Sequence, residues 1–217
     1  MLEGDVMDDQ NEIRKKYYDI IELQSKVNKF DKISNEKYLF LQKLNSYNIF
    51  FIGFMGVGKT SISSYLSNLL KIDKIEIDEY IEKNENMTVS EIFNKRGESY
   101  FRDCETDALK KLQGKCNKIV SCGGGIILRE ENIELMKKQG KVILLTASPE
   151  TIYERIKYSD DRPILNNNMN VQFISKLIEE RKDKYLKVAD FIIDTNDKTI
   201  DMVCEEIIKK VSTVDNL

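Results

Sequence analysis

The 217-residue sequence contains no histidine. That absence removes the side chain that most often serves as a general base near neutral pH, and leaves carboxylates, lysine and arginine to carry any chemistry. Cysteine is sparse as well. Cys104, Cys116, Cys122 and Cys204 form no C-x-x-C pair, and without histidine they offer no zinc-ligand set, so reduced and mostly buried thiols are expected. No apolar run approaches the roughly 20 residues of a membrane span, and residues 1–10 are acidic rather than basic-then-apolar. A cytoplasmic protein with no membrane partner is expected. A basic patch is missing too: lysine and glutamate interleave throughout and the formal net charge is −3, which makes nucleic acid an unexpected partner. There is no internal repeat and no low-complexity tract.

What is present describes an ordinary globular chain, 41% hydrophobic and 33% charged, long enough for one domain with an appendage. Between Asn11 and Phe30 apolar residues recur at a helical period (Ile13, Tyr17, Ile20, Leu23, Val27, Phe30), and Asn35–Leu44 predicts a second, shorter helix with Tyr38, Leu41 and Leu44 on one side. The pattern changes at Tyr47. Asn48–Ile52 is a β-rich run entering a glycine loop, followed by a helical stretch from Lys59 to Leu70. Further strands are expected at Ile72–Ile77, Lys118–Cys122, Lys141–Leu145 and Phe191–Ile193, with helical patterns between them. Thr88–Glu91 has capping-box spacing, and Ser148-Pro149-Glu150 puts proline just inside a helix start. Strands alternating with helices predict a parallel sheet covered on both faces.

Gly53-Phe54-Met55-Gly56-Val57-Gly58-Lys59-Thr60 fits G-x-x-x-x-G-K-[ST], and it lies between a strand and a helix, as a phosphate-binding loop requires. Backbone N–H groups from Gly56 to Ser61, together with the positive end of the following helix, would cradle the phosphates of ATP. Lys59 would neutralise the β- and γ-phosphates, and the Thr60 hydroxyl is the natural direct ligand of magnesium. An incidental lysine in a glycine turn is the competing explanation, and the flanking elements count against it. The loop alone leaves open whether the acceptor is water, a protein or a metabolite.

Glu76 and Asp78 alternate at a strand end, where carboxylates on one side of an extended chain face the ligand crevice of an open α/β sheet. One would organise magnesium through water and the other would accept or align an acceptor hydroxyl; a solvated acidic helix start is the alternative. Arg102 stands beside an aromatic residue and could bind a carboxylate bidentately. Gly123-Gly124-Gly125 follows the third strand, where bare backbone must lie close to a ligand or turn sharply. Asp160-Asp161-Arg162-Pro163 and the asparagines after it are turn-prone, as expected of a lid carrying a cation toward the phosphates. Arg181 and Tyr185 sit in a charged helix and carry no signal of their own.

Taken in order, these landmarks resemble the shikimate kinase family over essentially Tyr47 to Val211. They are the G-x-M-G-x-G-K loop, the acidic pair before Ile81-Glu82, G-E-x-x-F-R-x-x-E at Gly97–Glu105, S-x-G-G-G at Ser121–Gly125, R-P-x-L at Arg162–Leu165, Arg181 with Tyr185, and D-T-N at Asp194–Asn196. The resemblance implies an α/β P-loop three-layer sandwich with a central five-stranded parallel sheet over residues 47–217, plus a helical extension over residues 1–46. It implies transfer of the γ-phosphoryl of MgATP to the 3-hydroxyl of shikimate, on the route to chorismate and the aromatic amino acids. Asp78 would hold that hydroxyl, Arg102 and Arg181 would clamp the carboxylate, Gly123, Gly124 and Gly125 would offer backbone to the substrate, and Arg162 would reach over ATP from the lid. The family usually has aspartate at both acidic positions, so Glu76 is a departure that bears on the metal. Residues 1–46 are expected to dock on a monomeric domain or to self-associate, with a remnant of a fused helical domain such as a chorismate mutase as the alternative. Rival functions are another small-metabolite kinase such as a gluconate kinase, which would lack the set of Arg102, the three glycines and Arg181, and a nucleotide-binding protein without turnover.

Overall fold

The computed structural model describes residues 35–157 and 170–213. The helix expected over Asn11–Phe30 and the lid residues, Arg162 among them, lie outside the described residues. Within them, α1 spans residues 35–44, and β1 (Asn48–Ile52), α2 (Lys59–Leu70), β2 (Asp73–Glu76), α3 (Ile77–Glu85) and α4 (Val89–Lys110) follow. Then come β3 (Lys118–Ser121), a 3-10 turn (Ile126–Leu128), α5 (Glu130–Gln139), β4 (Gly140–Thr146), α6 (Pro149–Ile156), α7 (Val171–Val188), β5 (Phe191–Asp194) and α8 (Ile200–Thr213).

All five strands are parallel, in the order β2-β3-β1-β4-β5. β1 is central and buried at every position, as a strand covered on both faces must be. Its side chains alternate between two cores. Ile49 and Phe51 pack with Leu66 of α2, Ile152 of α6 and Ile207 of α8, whereas Phe50 and Ile52 pack with Ile81 of α3, Leu109 of α4 and Met136 of α5. The result is a three-layer α/β sandwich. Asn48 is buried at the start of β1, where its amide donates to Lys115 O (2.8 Å) and accepts from Lys118 N (3.0 Å), so both ends are satisfied while β1 and β3 are held in register.

Local chemistry sets the helix starts. Thr88 and Glu91 form the expected capping box, and Ser148 caps α6 with Pro149 in its first turn. α4 is two helices joined at Gly97, whose φ of 83° breaks the helical geometry in a region that glycine alone enters freely. The break restarts the helix just before Arg102. Two expectations are corrected. β2 stops at Glu76 and Ile77 opens α3, so Glu76 and Asp78 are not alternate residues of one extended strand; the isoleucine turns into the core as a helical residue, fully buried beside Ile81. On α1 the buried positions are Phe40 and Leu44, with Leu41 beside them, while Tyr38 is exposed. Phe40 and Leu44 lie one turn apart and fix which face of the helix meets the sheet.

α1 therefore shares the core of the domain expected to begin at Tyr47. Phe40 and Leu44 are 0% exposed, and Lys43 Nζ crosses to the end of α8, donating to Val211 O (3.1 Å) and Ser212 O (3.0 Å). A buried phenylalanine truncated to alanine typically costs about 3–5 kcal/mol. Phe40→Ala is expected to lower the free energy of unfolding by that amount in urea titrations of the full chain, and an unchanged midpoint would show that α1 contributes nothing to the domain.

Candidate active site

The carboxyl ends of β1, β2, β3 and β5 open onto one cleft of about 1050 Å³, the position in which open parallel sheets bind ligands. Gly56, Val57, Gly58, Lys59, Thr60 and Ser61 line it on one side, and Glu76, Asp78, Arg102, Gly123, Gly124, Gly125 and Arg181 on the other. Every proposed site residue within the described residues thus reaches a single cavity. Arg162 lies outside them.

On the phosphate side, Gly58 takes a left-handed conformation as the N-cap of α2 with no side-chain cap, so the positive end of the helix opens on the cleft. Lys59 Nζ arches over the loop and donates to Gly53 O (2.8 Å) and Phe54 O (3.0 Å). The Thr60 hydroxyl donates to Glu76 Oε1 at 3.3 Å, which leaves its lone pairs available to a cation. These hard oxygens suit magnesium. Among the described residues no group of three or more His, Cys, Asp or Glu side chains could hold a metal.

The acceptor side is built around a buried cation. Arg102 is 6% exposed; its Nη1 donates to Glu105 Oε2 (2.7 Å), while Nε and Nη2 donate to Glu98 Oε1 (3.2 and 2.9 Å). The requirement for glycine at positions 123 and 125 follows from this charge cluster. A Cβ on Gly125 would run into the Arg102 guanidinium, and one on Gly123 would lie 2.7 Å from Asp78 Oδ1 and 3.0 Å from Glu105 Oε1. Those two oxygens are buried and have no hydrogen-bond partner among the described residues. Burial raises the Asp78 pKa, an effect moderated by Lys59 and reinforced by Glu76. Glu105 is pushed up to about 7, again by burial, against the opposing pull of Arg102.

Arg155 carries no signal in the sequence, and Glu105 and Tyr185 appear there only within the family landmarks, without roles of their own. Arg155 on α6 donates to Gly56 O (3.3 Å), Thr195 Oγ1 (3.0 Å) and Thr195 O (2.9 Å), tying the phosphate loop to the end of β5. The Thr195 hydroxyl lies within 3.2 Å of Val57 O and 3.0 Å of Thr146 O, and Asn196 Oδ1 accepts from Ser148 N (2.9 Å). The D-T-N landmark is thus a strut under the loop. Lys198, Ile200 and Val203 line the same cleft.

Glu105 generates a pH signature. Its folded pKa of about 7 lies above its ordinary value of 4.5, so the folded chain binds the proton more tightly than the unfolded chain. The stability this provides is complete below the unfolded pKa and is lost as pH rises through about 7. The unfolding free energy of the wild type minus that of Glu105→Gln should therefore fall between about pH 4.5 and 7 and then level off. A difference that is flat across this window would contradict the raised pKa.

Comparison with known proteins agrees with the geometry. The shikimate kinase family model matches residues 55–212. A shikimate kinase of Thermodesulfovibrio yellowstonii is 42% identical over 169 residues, spanning 78% of this chain and 97% of that protein. Among solved structures, a shikimate kinase from Acinetobacter baumannii in complex with shikimate superposes with a TM-score of 0.73 at 30% identity, covering 77% of this chain and 94% of that one. The shikimate kinase from Aquifex aeolicus gives 0.64 at 37% identity, covering 74% and 94%. A parallel sheet with a phosphate loop at its central strand and a buried arginine under a triple-glycine turn thus places this chain in the shikimate kinase family.

Proposed function

We propose that this chain transfers the γ-phosphoryl group of ATP to the 3-hydroxyl of shikimate, releasing ADP and shikimate 3-phosphate. The observation that carries the reading is the convergence of Lys59, Asp78, Arg102, Arg181 and the three-glycine turn on one cleft. The complex of the Acinetobacter baumannii relative with shikimate supports the choice of acceptor. Four free thiols agree with a reducing, cytoplasmic setting.

In this reading the triphosphate lies along Gly56–Ser61, and the nucleoside extends toward Arg155, Lys198 and Ile200, away from the acceptor pocket. A magnesium ion bound with the nucleotide would supply positive charge to offset that of the phosphates. Thr60 would hold it directly, and Glu76 would act through water, orienting the Thr60 hydroxyl by accepting its proton in a hydrogen bond. Lys59 exchanges its bonds to Gly53 O and Phe54 O for phosphate oxygens. Asp78 aligns the acceptor hydroxyl, whose oxygen attacks the γ-phosphorus as the bond to the ADP oxygen breaks and whose proton passes to the Asp78 carboxylate. Arg102 meets the substrate carboxylate with the Nε and Nη2 edge that Glu98 holds in this structure. Glu98 is the partner that can yield, because its side chain is 58% exposed whereas Glu105 is fully buried. Arg181 faces the same carboxylate, Gly123–Gly125 supply backbone to the substrate, and Arg162 approaches the transferred group from the lid.

A coupled ADP-release assay tests this reading: shikimate, and not gluconate, should stimulate ADP formation, and equal stimulation by gluconate would overturn it. Asp78→Asn should lower turnover by about 10²–10⁴-fold, the usual contribution of an acid–base group. Glu76→Asp should change it only modestly across a magnesium titration, since an outer contact tolerates a change of reach. A nearly dead Glu76→Asp beside a normal Asp78→Asn would exchange the two roles.

A further inference from the structure

Tyr185 stands out as a polar group buried without an assigned task. It lies on α7 four residues after Arg181, on the same helical face, and is 4% exposed in the core formed by α3, α4 and α5. Its hydroxyl donates to Gly124 O at 2.6 Å. Gly124 is the middle residue of the acceptor turn, and a Cβ built on it would lie 3.6 Å from Gly53 O and 3.8 Å from Met55 N, at the mouth of the phosphate loop. The same α7 face meets that loop a second time, where the Arg181 guanidinium stands over the Phe54 ring at 5.9 Å. Burial pushes the phenol up to about 12 while Arg181 pulls the other way, so the hydroxyl stays protonated and remains a donor throughout the working pH range.

We propose that Tyr185 is a positioning residue of the acceptor site, whose hydroxyl pins α7 to the glycine turn so that Arg181 is presented to the substrate carboxylate at a fixed distance from Gly124. The inference rests on the shikimate kinase reading and deepens it. A purely apolar packing role would need only the ring. A phenylalanine there would fill the same space while leaving Gly124 O without its partner and α7 free to shift along the turn. The effect passes through Arg181 to the acceptor carboxylate, whereas the Gly56–Val57 part of the phosphate loop is tied down from the other side by Arg155 and Thr195.

The test is Tyr185→Phe, which preserves the ring, examined in the full chain beside Arg181→Ala and the double variant. Shikimate binding measured by calorimetry should weaken about three- to tenfold in Tyr185→Phe, the range of one lost hydrogen bond. KM for MgATP should stay unchanged. In the double variant the loss should not exceed that of Arg181→Ala alone, because the tyrosine acts through the arginine. Unchanged shikimate affinity in Tyr185→Phe would overturn the proposal, as would losses that simply multiply. A wild-type chain that binds MgATP but no shikimate would overturn the acceptor assignment itself, which separates that failure from a failure of Tyr185.

Discussion

The acceptor half of the molecule depends on one constraint: the Arg102 guanidinium is buried, and a buried charge must be neutralised and hydrogen-bonded where it sits. Glu105 answers from one turn along the same helix and Glu98 from one turn before, both reachable because Gly97 restarts α4 just ahead of them. Glu105 in turn brings a second buried carboxylate close to Asp78, and the two unpartnered oxygens face the backbone at Gly123. The outer two glycines of the turn are then required by the charges beneath them, since any side chain would strike Arg102 at Gly125 or the carboxylates at Gly123. The sequence reads this run as a close approach to a ligand or a sharp turn; at its two ends the groups that come close are the protein's own charged side chains.

The phosphate half is organised by tension across the sheet's carboxyl edge. β1 delivers the loop at the centre, and β5, two strands away in the sheet, returns Thr195 to its underside. Arg155 then clamps Gly56 O and Thr195 from α6. Preorganisation of this kind matters for phosphoryl transfer, where positioning and charge supply nearly all of the catalysis.

How much of this could be read beforehand follows the range of the interactions. The helix Lys59–Leu70, the Thr88 capping box and the strand Asn48–Ile52 were legible because their causes are local: glycine punctuation, side-chain caps and an apolar run. Arg155 was not, because its partner Thr195 is 40 residues away and an arginine in a short helix is ordinarily solvated. Tyr185 is named beside Arg181, but its task was not legible for the same reason, its partner Gly124 lying 61 residues back. Ile77 misled because a β-branched residue after a strand reads as more strand, and only the packing against Ile81 shows it to be the first residue of a helix. Tyr38 misled because an aromatic at helical spacing reads as core, whereas Phe40 and Leu44 set the buried face.

Glu76, where the family resemblance leads one to expect aspartate, is held from several sides. Glu76 occupies the N-cap of α3 but makes no capping bond there; its side chain reaches across to α2 instead. An added methylene adds a rotatable bond, and here both carboxylate oxygens are held: Oε1 by Thr60, Oε2 by Lys74 at 3.3 Å, with Lys74 itself steadied on Ser64 Oγ at 3.1 Å. Asp78, two residues on, has the opposite surroundings, desolvated and with one oxygen unpartnered. Two carboxylates only two residues apart thereby receive different surroundings, Glu76 bonded to Thr60 and Lys74 beside the phosphate loop and Asp78 with its proton affinity raised by burial. Division of labour between neighbouring acids needs such unequal environments, and the turn of the chain into α3 at Ile77 is what separates them.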